Sequence, residues 1–150
     1  MLTRVDVELG ARAYPVLIGA GCLASLGETL RAHQIQHTNA FLLTNPQVGA
    51  LYGQTAAESL ERAGFKKVVR HEIPSTEEGK NWDEFSKTCA ALLEHFPDAG
   101  AAPLVVLLGV GWLAIWAGLR LRYTVGACRL CRSRPLCFQR WIPAWAGKWR

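Results

Sequence analysis

Three short segments, each following an apolar run, hold the side chains best suited to bind a ligand. The segments are 44–46, 74–80 and 109–111. Asn45 offers an amide, Glu77 a carboxylate and Lys80 an ammonium group, and glycines let a ligand approach the backbone closely. Glu77 and Lys80 are three positions apart, so they could also form a solvated pair at a helix start. Asn45 precedes a proline and could be only a turn residue.

Cysteine and histidine residues give a weaker indication of chemistry. Cys128-x-x-Cys131 with Cys137 could bind zinc, but one Cys-x-x-Cys without a second pair or ligand histidines is weak evidence. Cys22 and Cys89 are far apart in the sequence, which predicts buried thiols of a cytosolic protein. A lone histidine has no metal site by itself, so we interpret the histidine at position 71 as capping a strand face.

Apolar periodicity predicts the elements that position the three segments. Alternation at Val5, Val7 and Leu9 predicts a half-buried strand, and 14–18 predicts a second strand that forms a hairpin with it. Apolar residues at helical spacing predict a short amphipathic helix that ends at Ala32. Further strands are predicted at 40–44, 67–73 and 104–108, and helices at 54–63 and 82–95.

Two of the predicted elements carry a defined apolar face. In the helix over 82–95 one stripe is predicted to contain Trp82, Phe85, Cys89, Leu92 and Leu93. In the strand over 67–73 one side is predicted to contain Val69, His71 and Ile73. The helix over 54–63 is predicted from Ala57, Leu60 and Glu61 and ends at Gly64, a natural left-handed helix stop.

Strands that alternate with helices predict an α/β fold, namely a Rossmann-like partial parallel sheet preceded by a β-hairpin. In such sheets ligands bind outside the carboxyl ends of the strands. The three segments with polar or glycine residues would therefore lie at one edge of the sheet. This pattern predicts a nucleotide-binding type of domain without naming the ligand.

The composition changes abruptly near residue 106. Residues 107–150 contain eight Lys or Arg and no Asp or Glu, for a charge of +8, whereas residues 1–106 carry nine bases and twelve acids, for −3. Five of the six tryptophans also lie in 107–150. We therefore divide the chain into a domain over 1–106 and a basic tail rich in Trp and Cys over 107–150, which we expect to be irregular or poorly packed.

The sequence of residues 1–106 resembles that of 3-dehydroquinate synthases. Residues 12–21, RAYPVLIGAG, are similar to the family's opening hairpin, and residues 43–48, LTNPQV, to its first cofactor loop. Residues 70–81, RHEIPSTEEGKN, resemble its Pro-x-Gly-Glu-x-x-Lys segment, with Thr76 in place of the usual glycine. The resemblance implies that 1–106 is a truncated NAD-binding domain of this family.

The resemblance also implies roles for individual residues. Glu77 and Lys80 would hold the adenosine ribose of NAD, since a carboxylate can accept both ribose hydroxyls. Asn45 would lie in the first cofactor loop, and Gly109 and Gly111 would belong to the turn that binds the pyrophosphate. In that turn Val110 replaces the central glycine. No catalytic residue and no metal ligand are expected in this chain.

The family's reaction converts 3-deoxy-D-arabino-heptulosonate 7-phosphate to 3-dehydroquinate and phosphate in the shikimate pathway of aromatic amino acid biosynthesis. The resemblance implies NAD, a divalent metal (zinc or cobalt), a sugar phosphate substrate, a cytoplasmic location and a homodimer. The metal ligands, a Glu and two His of a second domain, would lie beyond this chain. Nucleic acid is not expected as a partner, and neither is a membrane.

Reverse translation offers a cause for the unusual tail. If the DNA that encodes 107–119 is read one base out of frame, its codons are compatible with the sequence ALGGGVVGDLGGF. The codons for 125–138 and 140–148 are likewise compatible with further sequence of the synthase family, in the expected order. We interpret 107–150 as out-of-frame translation that ends at a chance stop codon. The chain as written is therefore expected to lack activity.

Other functions remain open at this point. A polyol or iron-dependent alcohol dehydrogenase would share the general architecture but would be expected to lack the Pro-x-x-Glu-x-x-Lys wording. If the tail is genuine, the apolar stretch 104–119 could attach to a membrane, although it is shorter than the roughly 20 residues needed to span one. A basic tail with tryptophans could instead bind single-stranded nucleic acid.

Overall fold

A computed structural model describes residues 3–8, 14–74, 81–98 and 102–109. The strands are β1 (Thr3–Val7), β2 (Tyr14–Ile18), β3 (Asn39–Thr44), β4 (Lys67–Glu72) and β5 (Leu104–Leu108). The helices are α1 (Leu26–Ala32), α2 (Pro46–Val48), α3 (Gln54–Arg62) and α4 (Trp82–His95), with a 3-10 turn at Cys22–Ser25 and a π-helical turn at Gly49–Gly53. The predicted alternation of strands and helices is confirmed.

The N-terminal strands form the predicted antiparallel hairpin, in register from Thr3 opposite Ile18 to Val7 opposite Tyr14. The prediction that β1 is half-buried is wrong, because Val5 is 47% exposed and Val7 is only partly buried. Leu9 lies outside the described residues. A two-stranded ribbon has no core of its own, so alternation identifies such a strand without showing that its apolar side is covered.

The other strands form a parallel sheet in the order β4-β3-β5. β3 is central, and its register places Thr44 opposite Glu72 on one side and opposite Leu108 on the other. Residues 40–43 of this strand are at most 1% exposed, as expected for a central parallel strand covered on both faces. The predicted fold class, an α/β parallel sheet with an N-terminal hairpin, is confirmed.

Each face of the sheet is covered by helices. Alternate residues of β3, such as Ala40 and Leu42, pack with α1 and α3 in one buried cluster. The intervening residues Phe41 and Leu43 pack with α4 in a second cluster. The period of two along the strand thus separates two cores, one on each face.

The buried stripe of α4 differs from the predicted one. Phe85 and Leu92 are buried as predicted, but Trp82 is 62% exposed and Leu93 is 60% exposed. Thr88, a polar residue, is fully buried and lies on the same stripe as Phe85 and Leu92. The stripe repeats at intervals of three and four residues, so Leu93, about 100° around the helix from Leu92, lies off this face.

The buried face of α3 also differs from the predicted one, since it consists of Ala56, Ser59 and Leu60, while Glu61 is exposed and Ala57 is partly buried. A serine on this face was not expected from apolar periodicity.

The two cysteines of the described part, Cys22 and Cys89, are free and only partly buried. The prediction of buried thiols is therefore wrong in its degree of burial. Burial is still sufficient to raise the pKa of the Cys89 thiol. The three cysteines at 128, 131 and 137 lie outside the described residues.

Candidate functional site at the carboxyl edge of the sheet

The carboxyl ends of the three parallel strands meet at one edge. The chain leaves the central strand β3, forms β4 on one side, and returns to form β5 on the other. The gap between β3 and β5 is therefore the topological switch point of this sheet, the place where open α/β sheets bind ligands. The residues that end these two strands are Thr44 and Leu108, followed by Asn45 and Gly109.

Thr44 connects the ends of all three strands. It is fully buried, and its carbonyl oxygen accepts a hydrogen bond from the backbone N–H of Ile73 at 2.8 Å. Its hydroxyl donates to the carbonyl oxygen of Leu108 at 2.8 Å. The sequence predicted Thr44 at this edge, within the segment 44–46, but gave it no role; the available signal was a hydroxyl at the end of an otherwise apolar run.

Asn45 begins the helical segment that follows β3. It is only 4% exposed, and its side-chain oxygen accepts a hydrogen bond from the N–H of Val48 at 2.8 Å. Its backbone oxygen accepts from the N–H of Gly49 at 2.7 Å. Asn45 is thus an N-cap, with Pro46 in the favoured first helical position. Because the amide oxygen is used within the loop, the side-chain NH₂ is the group that could donate to a ligand.

A π-helical turn, Gly49–Gly53, continues from α2 into α3. Its glycines allow side chains from neighbouring strands to lie against the helix backbone. A Cβ on Gly49 would be 2.9 Å from both Glu72 Oε1 and Thr44 Cγ2, and a Cβ on Gly53 would be 3.1 Å from Arg70 Nη1. Single π-helical turns occur often at functional sites, and no sequence pattern predicted this one.

The end of β4 places an ion pair against that turn. The Nε atom of Arg70 lies 3.5 Å from Oε1 of Glu72, and both side chains are more than a third exposed. A pair of this exposure contributes little to stability. The Glu72 side chain lies beside Gly49 and the Arg70 side chain beside Gly53.

Two of the five predicted site residues are described, and the structure brings both to the same edge. Gly109 directly follows β5 and has a φ of +159°, while Asn45 directly follows β3. The Thr44 hydroxyl joins the two strand ends through Leu108. Glu77, Lys80 and Gly111 lie outside the described residues. The segment that contains Glu77 and Lys80 follows Pro74, shortly after the end of β4.

His71 has structural partners on the face of the sheet that α4 covers. Its ring stacks on Phe41 with centroids 5.6 Å apart, and its Nε2 lies 3.2 Å from the hydroxyl of Thr88. Because that hydroxyl donates to the Glu84 carbonyl, it accepts from His71, which places the proton on Nε2. Burial lowers the pKa of His71 below 6.5. The imidazole is therefore a neutral, partly buried hydrogen-bond donor beside the α4 cluster.

The described part of the chain contains neither a candidate metal site nor a candidate membrane span. Among these residues no group of three or more His, Cys, Asp or Glu side chains could hold a metal ion. In the same residues no helix combines the length and the apolar character needed to cross a bilayer. Of the apolar stretch 104–119, the first five residues form strand β5.

Comparison with known proteins gives a consistent result, although no protein-family model matches the chain. It is 34% identical over 112 residues to the 3-dehydroquinate synthase of Symbiobacterium thermophilum, which is 75% of this chain and 30% of that enzyme. It is 47% identical over 116 residues to the 3-dehydroquinate synthase of Pelotomaculum thermopropionicum (76% and 30%). With the enzyme of Desulforamulus reducens the identity is 34% over 114 residues (76% and 31%).

These matches confirm the family that the sequence motifs predicted. They also show that the chain corresponds to only part of the length of these enzymes. The chain spans about 30% of the length of these relatives. The α/β fold and the identity together assign the family for the portion that they cover. The N-terminal part of this chain belongs to the 3-dehydroquinate synthase family.

Proposed function

We propose that the described α/β unit is the nucleotide-binding part of a 3-dehydroquinate synthase, and that it binds NAD at the edge between β3 and β5. The observation that carries this proposal is the strand order β4-β3-β5, with Asn45 and Gly109 at the switch point. Family membership at 34–47% identity supports it.

Residues on three loops of this chain would each contact a different part of NAD. Glu77 accepts hydrogen bonds from the adenosine ribose hydroxyls, and Lys80 supplies a cation beside them. Asn45 donates from its NH₂ group, while Gly109, at the start of the turn, lets the backbone come close to the pyrophosphate and Gly111 brings a backbone N–H group near it. Backbone amides suit this task because glycine loops allow phosphate oxygens to approach closely.

When bound, NAD supplies a reversible hydride acceptor for the conversion of 3-deoxy-D-arabino-heptulosonate 7-phosphate to 3-dehydroquinate and phosphate. The described residues do not fit the zinc or cobalt ion that the resemblance implies, since they contain no ligand cluster. We therefore assign none of the described residues to a metal. We further propose that residues 107–150 are out-of-frame translation and that the chain binds NAD without turnover.

Titration of NAD into the purified 150-residue chain tests the site. The wild-type chain is expected to bind NAD, and Glu77→Gln is expected to weaken binding by about tenfold or more, because a charged hydrogen bond contributes roughly 1.5–3 kcal/mol. Glu78→Gln removes the same charge one position away and serves as the matched control. A folded wild-type chain that fails to bind NAD, or equal losses in the two variants, would contradict the proposal.

The proposed absence of turnover has a separate test. Incubation of the chain with the sugar phosphate, NAD and zinc is expected to release no phosphate above background. Resequencing the DNA around codons 100 to 112 tests the cause, because a one-base shift is expected there. Phosphate release that depends on both substrate and chain would show that the tail does not abolish activity.

A further inference from the structure

The hydroxyl of Thr44 makes a hydrogen bond across the candidate site. It lies 2.8 Å from the carbonyl oxygen of Leu108 and 3.4 Å from that of Asn45. A hydroxyl has one proton, so the shorter contact is the hydrogen bond. The bond therefore runs from the end of β3 to the last residue of β5, across the switch point.

The acceptor of this bond belongs to the peptide that also contains the N–H of Gly109. The peptide unit is planar and trans, so its C=O and N–H point in opposite directions within one plane. Because the Leu108 oxygen points toward Thr44 and β3, the Gly109 N–H points away from β3, and the bond that holds the oxygen also fixes the plane of this peptide. The family resemblance implies that Gly109 belongs to the turn that binds the pyrophosphate.

Thr44 is itself held in place on its other sides. Its carbonyl accepts from the Ile73 N–H at 2.8 Å, and its methyl group Cγ2 lies beside Gly49, where a Cβ would come within 2.9 Å. The residue is fully buried, so its hydroxyl has no exchange with bulk water to weaken the bond. The donor is thus pre-organised before any ligand binds.

We propose that Thr44 is a positioning residue of the nucleotide site, whose hydroxyl fixes the plane of the Leu108–Gly109 peptide and thereby the direction in which the chain leaves β5 beside the nucleotide. This inference rests on the proposed NAD site. It assigns to Thr44 no contact with the ligand. Its effect is transmitted through one hydrogen bond and one peptide plane.

Two variants separate the hydroxyl from the methyl group. Thr44→Val keeps the shape and removes the hydroxyl, and it is expected to weaken NAD binding by about fivefold to tenfold. Thr44→Ser keeps the hydroxyl, so NAD affinity is expected to stay within about twofold, while the loss of the buried methyl lowers thermal stability. NAD affinity should therefore depend on the hydroxyl, and thermal stability on the methyl group.

Thr88 provides the matched control. It is also fully buried, but its hydroxyl donates to the Glu84 carbonyl one turn earlier in the same helix, at 2.8 Å. Thr88→Val therefore removes an equally buried hydroxyl from the other face of the sheet. We expect it to lower stability and to leave NAD affinity within about twofold of wild type.

A measurement without NAD tests the positioning directly. Labelling carbonyl ¹³C in leucine and ¹⁵N in glycine selects the Leu–Gly peptides 9–10, 26–27 and 108–109, and the Gly109→Ala variant assigns the last signal. Thr44→Val is expected to shift the Leu108–Gly109 signal, because the ¹⁵N shift of a residue responds to hydrogen bonding at the preceding carbonyl. Thr44→Ser is expected to leave it in place, and the Leu26–Gly27 signal is the internal reference.

The two measurements distinguish the possible failures. If the wild-type chain does not bind NAD while Thr44→Val still shifts the peptide signal, the proposed function is wrong and the orienting bond stands. If the wild-type chain binds NAD and Thr44→Val binds it equally well, the positioning role is wrong and the site stands. Weaker binding by Thr44→Val without a change in the peptide signal would also contradict the positioning role.

Discussion

The two faces of the parallel sheet are closed by different means. On the α1/α3 face the helices come close together, and the N–H of Gly27 donates to the Ser59 hydroxyl at 3.1 Å. On the α4 face a single helix packs against the sheet through large rings, and three of the six buried residues of this cluster are Phe41, Phe85 and Phe96. One face depends on the absence of a side chain, and the other on the presence of large ones.

The difference teaches which changes each face tolerates. A close helix contact leaves no room for an added methyl group, whereas a face filled with rings is damaged most when a ring is removed. The serine on α3 also donates to the Ala24 carbonyl at 2.9 Å, so the first face includes a polar link. Both faces cover the same three strands, so damage to either is expected to unfold the sheet.

Removing a ring from the α4 face should have the largest effect. Phe85 is 1% exposed, so Phe85→Ala is expected to lower the free energy of unfolding by about 3–5 kcal/mol. Trp82, in the first turn of the same helix, is 62% exposed, and Trp82→Ala is expected to cost about 1 kcal/mol or less. Denaturant unfolding of both variants checks this, and equal losses would support the stripe predicted from sequence instead.

Adding a methyl group to the α1/α3 face should have the next largest effect. A Cβ on Gly27 would lie 2.2 Å from the Ser59 carbonyl oxygen and 2.5 Å from the Ala63 Cβ, so Gly27→Ala is expected to cost about 3 kcal/mol through forced separation of the helices.

Gly53→Ala is the matched control for the Gly27 change. The added Cβ would come within 3.1 Å of the end of the flexible Arg70 side chain, and alanine favours a helix over glycine. Its free energy of unfolding is expected to stay within about 1 kcal/mol of wild type. A Gly27→Ala variant as stable as Gly53→Ala would show that the two helices can separate at little cost.

The α4 face was predicted well from sequence where apolar residues define it. Strand alternation placed Val69 and Ile73 on the same side, and both belong to the α4 cluster. Phe85 and Leu92 followed from helical spacing. The burial of Thr88 could not be predicted, because it depends on hydrogen bonds between its hydroxyl and Glu84 and His71. A pattern based on apolar residues assigns a residue with a hydroxyl to the surface.

The α1/α3 face and the candidate site were predicted less completely. The strand ends were placed at one edge because parallel topology requires it, and Asn45 and Gly109 are there. The link through Thr44 and the approach of Gly27 to Ser59 are contacts between residues 64 and 32 positions apart. Local spacing carries no information about such pairs, so only the folded chain reveals them.

The smallest expected effect distinguishes the faces by their response to pH. Burial lowers the pKa of His71 on the α4 face below its usual 6.5. The unfolded chain therefore binds a proton at a higher pH than the folded one does. The stability that the neutral imidazole contributes is fully present above pH 6.5 and decreases as the pH falls toward the folded pKa.

His71→Phe keeps a ring against Phe41 and removes the titrating group. The free energy of unfolding of this variant is expected to vary less with pH below 6.5 than that of the wild type, as measured by denaturant unfolding at several pH values. Because desolvation rather than a nearby charge is the main cause of the shift, the difference should persist at high salt. An unchanged pH dependence in the variant would mean that the imidazole is as accessible to protons in the folded chain as in the unfolded one, and the α4 face would then be no more sensitive to acid than the α1/α3 face.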